Sequence, residues 1–208
     1  MPKLTFDEKE HKYFIDGVWV PSVTQIISPL SSYGAIPKKI LDNACDRGKK
    51  IDEMCEFYLD GRLEFNSLSD SQKRILEQFV RFLDTEGRGF DFDSVITKYR
   101  GCNIKLKYAG ESDVIIPDQA IIDIKTRYKS LMPLTDPLQL FGYEGILPFK
   151  KTHKQFILAL YEKKYKFTEV NKTRADWNKS KSRFRFLLDN VWNKIEFKQK
   201  INNWKETK

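Results

Sequence analysis

The stretch GESDVIIPDQAIIDIKT, residues 110 to 126, constrains the fold more than any other part of the chain. It predicts two short strands joined by a tight turn at 117 to 119, since two apolar runs flank turn-forming residues. Because side chains alternate between faces along a strand, Asp123 and Lys125 point the same way. A hairpin of this length also brings Asp113 near that face. The sequence therefore predicts two carboxylates and a lysine at the rim of an apolar sheet.

Carboxylates beside apolar residues are costly to bury unless a positive charge accompanies them. A divalent cation pairs with two carboxylates, and such hard oxygen ligands suit magnesium or manganese. A lysine beside the cation could orient a water molecule or stabilise charge on a phosphate. The alternative is an Asp–Lys ion pair on a solvated strand face, which the tripeptide at 123 to 125 favours when it is taken alone.

The composition indicates one globular domain. The 208 residues, of which 40% are hydrophobic and 13% aromatic, are enough to bury a core. No apolar run approaches the ~18 residues of a membrane span, and the charged start of the chain lacks the apolar core of a signal peptide. We therefore expect a cytoplasmic protein without a membrane partner.

Cysteine and histidine give little support for a metal site of nitrogen and sulfur ligands. The three cysteines, Cys45, Cys55 and Cys102, are widely spaced without a CxxC pair, which argues against a zinc ribbon or a disulfide framework. Cys45 and Cys55 are expected to fill the core from one apolar helix face. The two histidines are far apart in the sequence, so serine–histidine catalysis is not indicated either.

Charge is distributed unevenly along the chain, whose net charge is +8. Residues 1–148 contain 20 Lys and Arg against 23 Asp and Glu, a net of −3, whereas residues 149–208 contain 17 against 6, a net of +11. An acidic part joined to a basic C-terminal third suits a polyanionic substrate. A solvated helix surface accounts for only some of these lysines.

Hydrophobic periodicity predicts the other elements. Residues 3–20 alternate around an Asp-Gly turn and predict a β-hairpin, and a short helix follows before Pro29. Helices are predicted over 38–60, 69–86, 137–147 and about 174–204. Strands are predicted over about 94–100, 103–109, 155–162 and 165–170. A capping box starts the second of these helices, and Asp136 is expected to cap the third.

Two pairs at helical spacing are candidates for a functional site. Asp52 and Glu56 are four residues apart, so they stack on one helix face. Their repulsion destabilises the helix unless something positive lies between them, and a solvated acidic patch offset by neighbouring lysines stays an open alternative. Gln139 and Tyr143 have the same spacing, and they form either a pair at the core edge or a pair that faces a substrate.

The order of these features resembles the PD-(D/E)XK nuclease superfamily, specifically the RecB-like exonucleases of phages and mobile elements. The resemblance covers most of the chain and begins with the N-terminal hairpin and PSVTQII. RGKKIDEMCE is similar to the family's RGxxxHxxxE helix, and AGESD and IIDIKT are similar to its GxxD and (D/E)xK motifs. QLFGY resembles its QxxxY helix.

The resemblance implies an α/β (α+β) fold with a restriction-endonuclease-like core, in which helices flank a central mixed β-sheet. It implies one nuclease domain over 1–208, with an N-terminal hairpin at 1–30, a core at about 36–170 and basic helices at 171–208. The implied activity is that of a magnesium- or manganese-dependent deoxyribonuclease, more an exonuclease than an endonuclease, in phage or mobile-element DNA recombination, repair or degradation.

The resemblance also implies roles for individual residues. Asp113 and Asp123 would ligate the metal together with the carbonyl of Ile124. Lys125 would be the catalytic lysine, and Glu56 matches the acidic helix residue that completes the site.

The resemblance also concerns three further helical residues. Gln139 and Tyr143 would order the site and contact DNA. Asp52 stands where the family usually has histidine, so the resemblance leaves open whether this position binds metal. If Asp52 does, an all-oxygen site suits magnesium, whereas an imidazole would favour softer transition metals.

DNA is the expected partner, and basic residues of the C-terminal helices and of the loop after 126 would hold its phosphates. These residues are Arg127, Lys129, Lys179, Lys181, Arg183 and Arg185. An iron–sulfur cluster, present in some relatives, needs four cysteine thiolates and is not expected here. A homo-oligomer, a recombination partner protein, a structure-specific endonuclease and a catalytically idle binding module stay open as alternatives.

Overall fold

The computed structural model describes residues 2–31, 36–126, 132–148 and 153–206, with side chains up to residue 198. In these ranges the strands are β1 (Leu4–Asp7), β2 (Lys12–Ile15), β3 (Val18–Val20), β4 (Ile96–Asn103), β5 (Tyr108–Ile116), β6 (Ala120–Thr126), β7 (Lys154–Leu160) and β8 (Tyr165–Val170). The α-helices are α1 (Val23–Ile27), α2 (Lys38–Leu59), α3 (Asp70–Asp84), α4 (Thr135–Glu144) and α5 (Arg174–Glu206).

A mixed five-stranded sheet in the order β4-β5-β6-β7-β8 forms the centre of the molecule. Neighbouring strands are antiparallel except β6 and β7, which are parallel and are connected through α4. Parallel neighbours require such a crossover, whereas β5 and β6 need only the tight turn that the sequence predicts. The predicted fold class, a mixed sheet flanked by helices, is confirmed.

The two faces of the sheet pack against different helices. On one face, the apolar sides of α2 and α3 cover residues such as Ile122 and Ile124 of β6. On the other face, Leu140 of α4 packs against Ile121 of β6. Since residues alternate, Asp123 lies on the α4 side of the sheet together with Ile121. The alternation predicted for β6 therefore determines which helix faces the polar residues.

A separate antiparallel sheet, β1-β2-β3, precedes α1. The Asp16–Gly17 turn forms as predicted, with φ angles of 50° and 77°. The sequence predicted a single hairpin here, but a second turn forms where the Asp7 carboxylate accepts the Lys9 and Glu10 backbone N–H groups at 2.9 and 3.1 Å. This sheet is tied to the central one, since the Ala109 N–H donates to the Pro21 carbonyl at 3.1 Å.

Three local predictions were wrong. A break between strands was predicted at about 101–102, but β4 continues to Asn103. The turn lies at 104–107, where the Asn103 side chain accepts the Leu106 N–H at 2.9 Å. Leu134 rather than Asp136 caps α4, and Asp136 is buried in the first turn. Cys45 is exposed like most of the first half of α2, whereas Cys55 is buried as predicted.

The long C-terminal helix α5 packs through Phe184, Leu187 and Leu188 against α1 and α4. Helix α4 therefore packs between α5 and the sheet. None of the helices in the described part of the chain has the length and hydropathy that crossing a bilayer requires.

Candidate functional site

A cavity of about 200 Å³ opens where β5 and β6 meet α1, α2, α4 and the N-terminal sheet. Its lining includes these residues that the sequence singled out: Asp52, Asp113, Asp123, Lys125, Gln139 and Tyr143. Side chains far apart in the sequence therefore meet at one place, on the face of the sheet that α4 covers.

Strand β6 supplies the most deeply buried charge of this cavity. Asp123 is 1% exposed, and its Oδ2 lies 2.7 Å from the Lys125 Nζ. Apart from this contact with Lys125, neither oxygen of Asp123 accepts a hydrogen bond from the described residues. Since a buried carboxylate oxygen without a hydrogen bond is unfavourable, the Asp123 Oδ1 is available to a further cation.

The ionisation of the pair reflects this burial. Burial, with a smaller contribution from the negative charge of Asp113, raises the pKa of Asp123 to about 7 against the opposing effect of Lys125. Burial alone would lower the pKa of Lys125, but the charges of Asp123 and Asp113 outweigh it, so the pKa of Lys125 is raised. Lys125 is therefore an ammonium at neutral pH, and it acts as a positive charge rather than as a base.

The Asp113 carboxylate is fixed from two sides. Its Oδ2 accepts the backbone N–H of Ile124 at 2.9 Å, which ties β5 to β6 at this point. Its Oδ1 lies 3.6 Å from the Nζ of Lys98 on the neighbouring strand β4. The predicted convergence of Asp113 with Asp123 and Lys125 is present, and Ile124 contributes a donor to it through its backbone.

Lys98 is a site residue that the sequence analysis missed. It stands opposite Asp113, between the paired residues Thr97–Val114 and Tyr99–Ser112. Its φ of 49° is left-handed, a conformation that costs a non-glycine residue about 1–2 kcal/mol. The sequence predicted a strand here, but only the register with β5 places this lysine beside the carboxylate.

The two acidic residues of α2 have different surroundings. Asp52 lines the cavity, and burial raises its pKa to about 8, with Asp113 adding to the shift and Lys98 opposing it. The Glu56 Oε1 lies 3.7 Å from the Arg62 guanidinium and does not line this cavity. Four residues of helix advance about 6 Å along the axis, so one turn separates the two environments.

Helix α4 presents the pair Gln139 and Tyr143 to the cavity. The Gln139 Nε2 donates to the Tyr143 hydroxyl at 2.7 Å, and both side chains are buried. Burial raises the pKa of Tyr143, and the charge of Asp123 raises it further. The pair is therefore neutral. It lies at the edge of the core, and it also faces the cavity.

Two glycines allow this close packing. A Cβ on Gly110 of β5 would lie 3.2 Å from the Tyr143 ring and 3.1 Å from Val23. A Cβ on Gly142 of α4 would lie 2.7 Å from the Phe184 ring of α5. The glycines of the GESD and QLFGY segments are thus needed for space, because they let α4 approach the sheet and α5.

The N-terminal segment contributes a wall that the sequence analysis did not assign to a site. His11, Tyr13, Ser22 and Thr24 line the cavity. Burial raises the pKa of Tyr13 to about 12, and the charge of Glu111 contributes. The resemblance of PSVTQII to the family's N-terminal segment could have indicated that this segment belongs to the site. No spacing between residues in the sequence connects His11 with β5 and β6.

The basic residues predicted to bind DNA do not form one patch. Arg127 and Lys129 lie outside the described residues. Lys179 and Arg183 line a groove of about 290 Å³ beside the start of α4. Lys181 lies over the Trp177 ring at 5.1 Å, and Arg185 is exposed. Residues two apart on a helix differ by about 200° in direction, so the two pairs face different sides of α5, and neither pair lines the carboxylate cavity.

A larger groove of about 570 Å³ lies at the end of β6, bordered by Thr126, Arg47, Lys163 and Lys164. Because Thr126 directly follows Lys125 on β6, the two side chains face opposite sides of the sheet. The groove therefore lies on the side of α2 and α3, and it shares no lining residue with the carboxylate cavity. The acidic residue of this groove, Glu162, accepts hydrogen bonds from Arg74 at 2.8 Å and Ser71 at 2.7 Å. The sequence analysis predicted the hairpin turn at Lys163 and Lys164 without assigning it a function.

The donor set of the cavity fits a hard cation. Asp113 and Asp123 offer carboxylate oxygens, and the Oδ1 of Asp123 has no hydrogen-bond donor among the residues that the structure describes. Across the described ranges, no group of three or more His, Cys, Asp or Glu side chains is arranged to hold a metal ion. Magnesium is commonly held by one or two carboxylates with water and substrate phosphates, so two carboxylates are a sufficient protein contribution.

Comparison with known proteins gives distant structural likenesses. No family model matches the chain, and no curated protein matches it. The structure is similar to that of an alkaline exonuclease, LHK-Exo, from Laribacter hongkongensis, with 11% identity over 88% of this chain and 92% of that one and a TM-score of 0.47. The complex of LHK-Exo with dAMP has 11% identity over 88% and 93%, with a TM-score of 0.44. Likenesses this distant assign no role to individual residues of this chain.

Proposed function

We propose that this chain is a metal-dependent nuclease that hydrolyses phosphodiester bonds of DNA, and that it acts from DNA ends. The observation that carries the proposal is the buried Asp123, whose Oδ1 has no hydrogen-bond donor among the described residues, while its Oδ2 contacts Lys125 and the neighbouring Asp113 contacts Lys98. A purely structural carboxylate would have its hydrogen bonds satisfied. A cavity that combines hard oxygen donors with positive charges suits a cation and a phosphate together.

In this proposal Asp113 and Asp123 hold the cation, and Asp52 adds a third carboxyl group nearby, which becomes negative when a bound cation displaces its proton. Bound magnesium or manganese would act as a Lewis acid on the phosphate and lower the pKa of water. The Ile124 N–H keeps the Asp113 carboxylate in one orientation. The ammonium of Lys125 stabilises the negative charge that develops on the scissile phosphate, and a charged group that is already in position needs no reorganisation for this.

Gln139 and Tyr143 have a positioning role. Their mutual hydrogen bond of 2.7 Å holds two polar groups at the cavity wall, where a sugar or phosphate oxygen can replace water as their partner. Because α4 packs closely through Gly142, these groups move little when DNA binds. The pair therefore determines how the strand lies against the carboxylates.

For the DNA, the groove beside Thr126 offers a basic surface outside the cavity. Arg47, Lys163 and Lys164 provide positive charge along it, and lysines that neutralise phosphates supply affinity without sequence preference. Lys179 and Arg183 offer a second phosphate-binding surface on α5. We propose that both surfaces bind DNA phosphates outside the cavity.

The proposal is tested with end-labelled linear DNA and closed circular DNA of the same sequence. With magnesium, the linear DNA should be degraded from its ends and the closed circle should stay intact; without magnesium, neither should change. Asp123→Asn serves as the inactive control. Cleavage of the circle at the same rate would replace the exonuclease assignment by an endonuclease, and no cleavage of either DNA in magnesium or manganese would contradict nuclease activity.

A catalytically idle nucleic-acid-binding protein is the second candidate. The ion pairs of Lys98 with Asp113 and of Lys125 with Asp123 favour it, since they already compensate both carboxylates without a metal. It predicts DNA binding that is unaffected by magnesium, together with intact linear DNA in the assay above.

A further inference from the structure

We propose that Lys98 is a built-in cation of this centre: its ammonium occupies the position beside Asp113 that a second metal ion would need. The chain then binds one divalent cation per site, and binds it in competition with Lys98. This inference rests on the proposed function, because it concerns a cation held by the same carboxylates.

The backbone around Lys98 supports a dedicated position. β4 pairs regularly with β5 on both sides of it, at Thr97–Val114 and at Tyr99–Ser112. Lys98 alone interrupts this ladder, with a φ of 49°. Lysine is not among the residues that favour the left-handed region, so the surrounding structure must maintain this conformation. The side chain ends 3.6 Å from the Asp113 Oδ1, and only 26% of it is exposed.

The carboxylate oxygens leave room for one cation. Asp113 uses Oδ2 for the Ile124 N–H at 2.9 Å, and its Oδ1 faces Lys98. Asp123 has Oδ2 beside Lys125 at 2.7 Å, so its Oδ1 is the oxygen that has neither a hydrogen bond nor an ammonium from the described part of the chain. Two-metal sites place their ions about 3.5–4 Å apart on shared ligands. A second ion here would have to displace an ammonium group.

Lys98 places a positive charge beside the carboxylates. It is not one of the residues that line the cavity, but its Nζ lies 3.6 Å from the Asp113 Oδ1. A lysine ammonium at this distance repels an added cation. Lys125 has a separate position on β6, on the Asp123 side, so the two lysines flank the carboxylates from different strands.

The test is a calorimetric titration of Mn²⁺ into the metal-free full-length protein. Wild type should bind one Mn²⁺. Lys98→Met should bind Mn²⁺ about tenfold more tightly, since a screened like charge has been removed, and it should take up a second ion. Lys98→Gly removes the same charge and suits the left-handed backbone, so it gives the same result if the methionine variant folds poorly. Lys98→Arg keeps the charge and should behave as wild type.

Lys107→Met is the matched control. Lys107 also has a left-handed backbone, with φ of 53°, but it is exposed in the β4–β5 turn, and its loss should change neither affinity nor stoichiometry. Two Mn²⁺ ions in wild type, or wild-type affinity in both Lys98→Met and Lys98→Gly, would overturn the inference. If wild type binds no Mn²⁺, the proposed function fails separately. In that case a gain of Mn²⁺ binding in Lys98→Met still supports the competition, and no gain overturns it.

Discussion

The Asp123 carboxylate and the Lys125 ammonium lie 2.7 Å apart on one face of β6, and the carboxylate is buried. Asp123→Asn keeps the shape of this side chain but removes its charge. We expect it to lower the rate of DNA cleavage by at least about a hundredfold, as loss of a preorganised charge does in other enzymes. The measurement is the initial rate on end-labelled linear DNA in magnesium, with the circular dichroism spectrum as a check of folding.

Lys125→Ala tests the other half of the pair. It should also lose most turnover, but it should bind Mn²⁺ no more weakly than wild type, because the carboxylates stay and a positive charge is removed. A Lys125→Ala protein that cleaves linear DNA at the wild-type rate would contradict the role of this lysine.

The metal-free protein should become less stable as the pH rises from about 4 to about 8. Folding raises the pKa of Asp123 to about 7 and that of Asp52 to about 8, whereas unfolded aspartates titrate near ~3.9. The folded state therefore binds more protons in this window, and its stability is lost as they dissociate. Thermal melting in a chelator, measured at intervals of pH, tests this expectation.

Asp52→Asn should make this pH dependence weaker. It removes one of the two titrating groups, and we expect it to stabilise the metal-free protein at pH 8 by about 1–2 kcal/mol after allowance for partial exposure. Glu53→Gln is a matched control on the next, exposed position of α2. Parallel curves for wild type and Asp52→Asn would mean that Asp52 does not titrate in this range.

Asp52 and Glu56 also differ in what they should do to metal affinity. Asp52 lines the cavity, whereas Glu56 lies beside Arg62. Asp52→Ala should weaken magnesium binding by about fivefold through the loss of a nearby negative charge, and Glu56→Ala should leave it unchanged. Calorimetric titration of both variants decides between them. An effect of Glu56→Ala alone would reverse the assignment and restore Glu56 as the helical ligand implied by the resemblance.

Much of the fold was predictable because local patterns determine it. The capping box of α3, with the Ser69 Oγ accepting the Gln72 N–H, forms as the sequence predicted. The turn between β5 and β6 also forms, since apolar strands flank it. Asp123 and Lys125 could be assigned to one face of β6 because alternation is a property of any strand.

The rest of the site depends on distances that no local pattern contains. Lys98 is beside Asp113 through the register of β4 against β5, and register follows from the whole sheet. His11 reaches the cavity only because the N-terminal sheet is tied to β5. The spacing of Asp52 and Glu56 predicted a shared helix face, but it did not show how far α2 extends over the cavity.

DNA affinity should depend on the groove beside Thr126. In the Asp123→Asn background, which removes cleavage, Lys163→Gln with Lys164→Gln should weaken binding of linear DNA. The slope of log affinity against log salt should fall by about one for each phosphate that the protein no longer neutralises. The double variant Lys181→Gln and Arg185→Gln removes the same amount of charge from α5, away from this groove, and should weaken binding less. Equal reductions of affinity in the two double variants would indicate non-specific attraction by net charge.

Close packing of α4 should be required for both stability and activity. A Cβ on Gly142 would lie 2.7 Å from the Phe184 ring and 2.8 Å from Val23, so Gly142→Ala forces α4 away from its neighbours. We expect a loss of about 1–3 kcal/mol in the free energy of unfolding, the usual cost of overpacking a core, measured by urea denaturation. Because Gln139 and Tyr143 are on the same helix, the cleavage rate in magnesium should also fall at temperatures where the variant is folded.

Gly89→Ala is the matched control, since a Cβ there meets nothing within 4 Å, and it should be neutral or slightly stabilising. If Gly142→Ala is destabilised but cleaves at the wild-type rate, the position of α4 matters for packing alone, and the positioning role of Gln139 and Tyr143 would have to be abandoned.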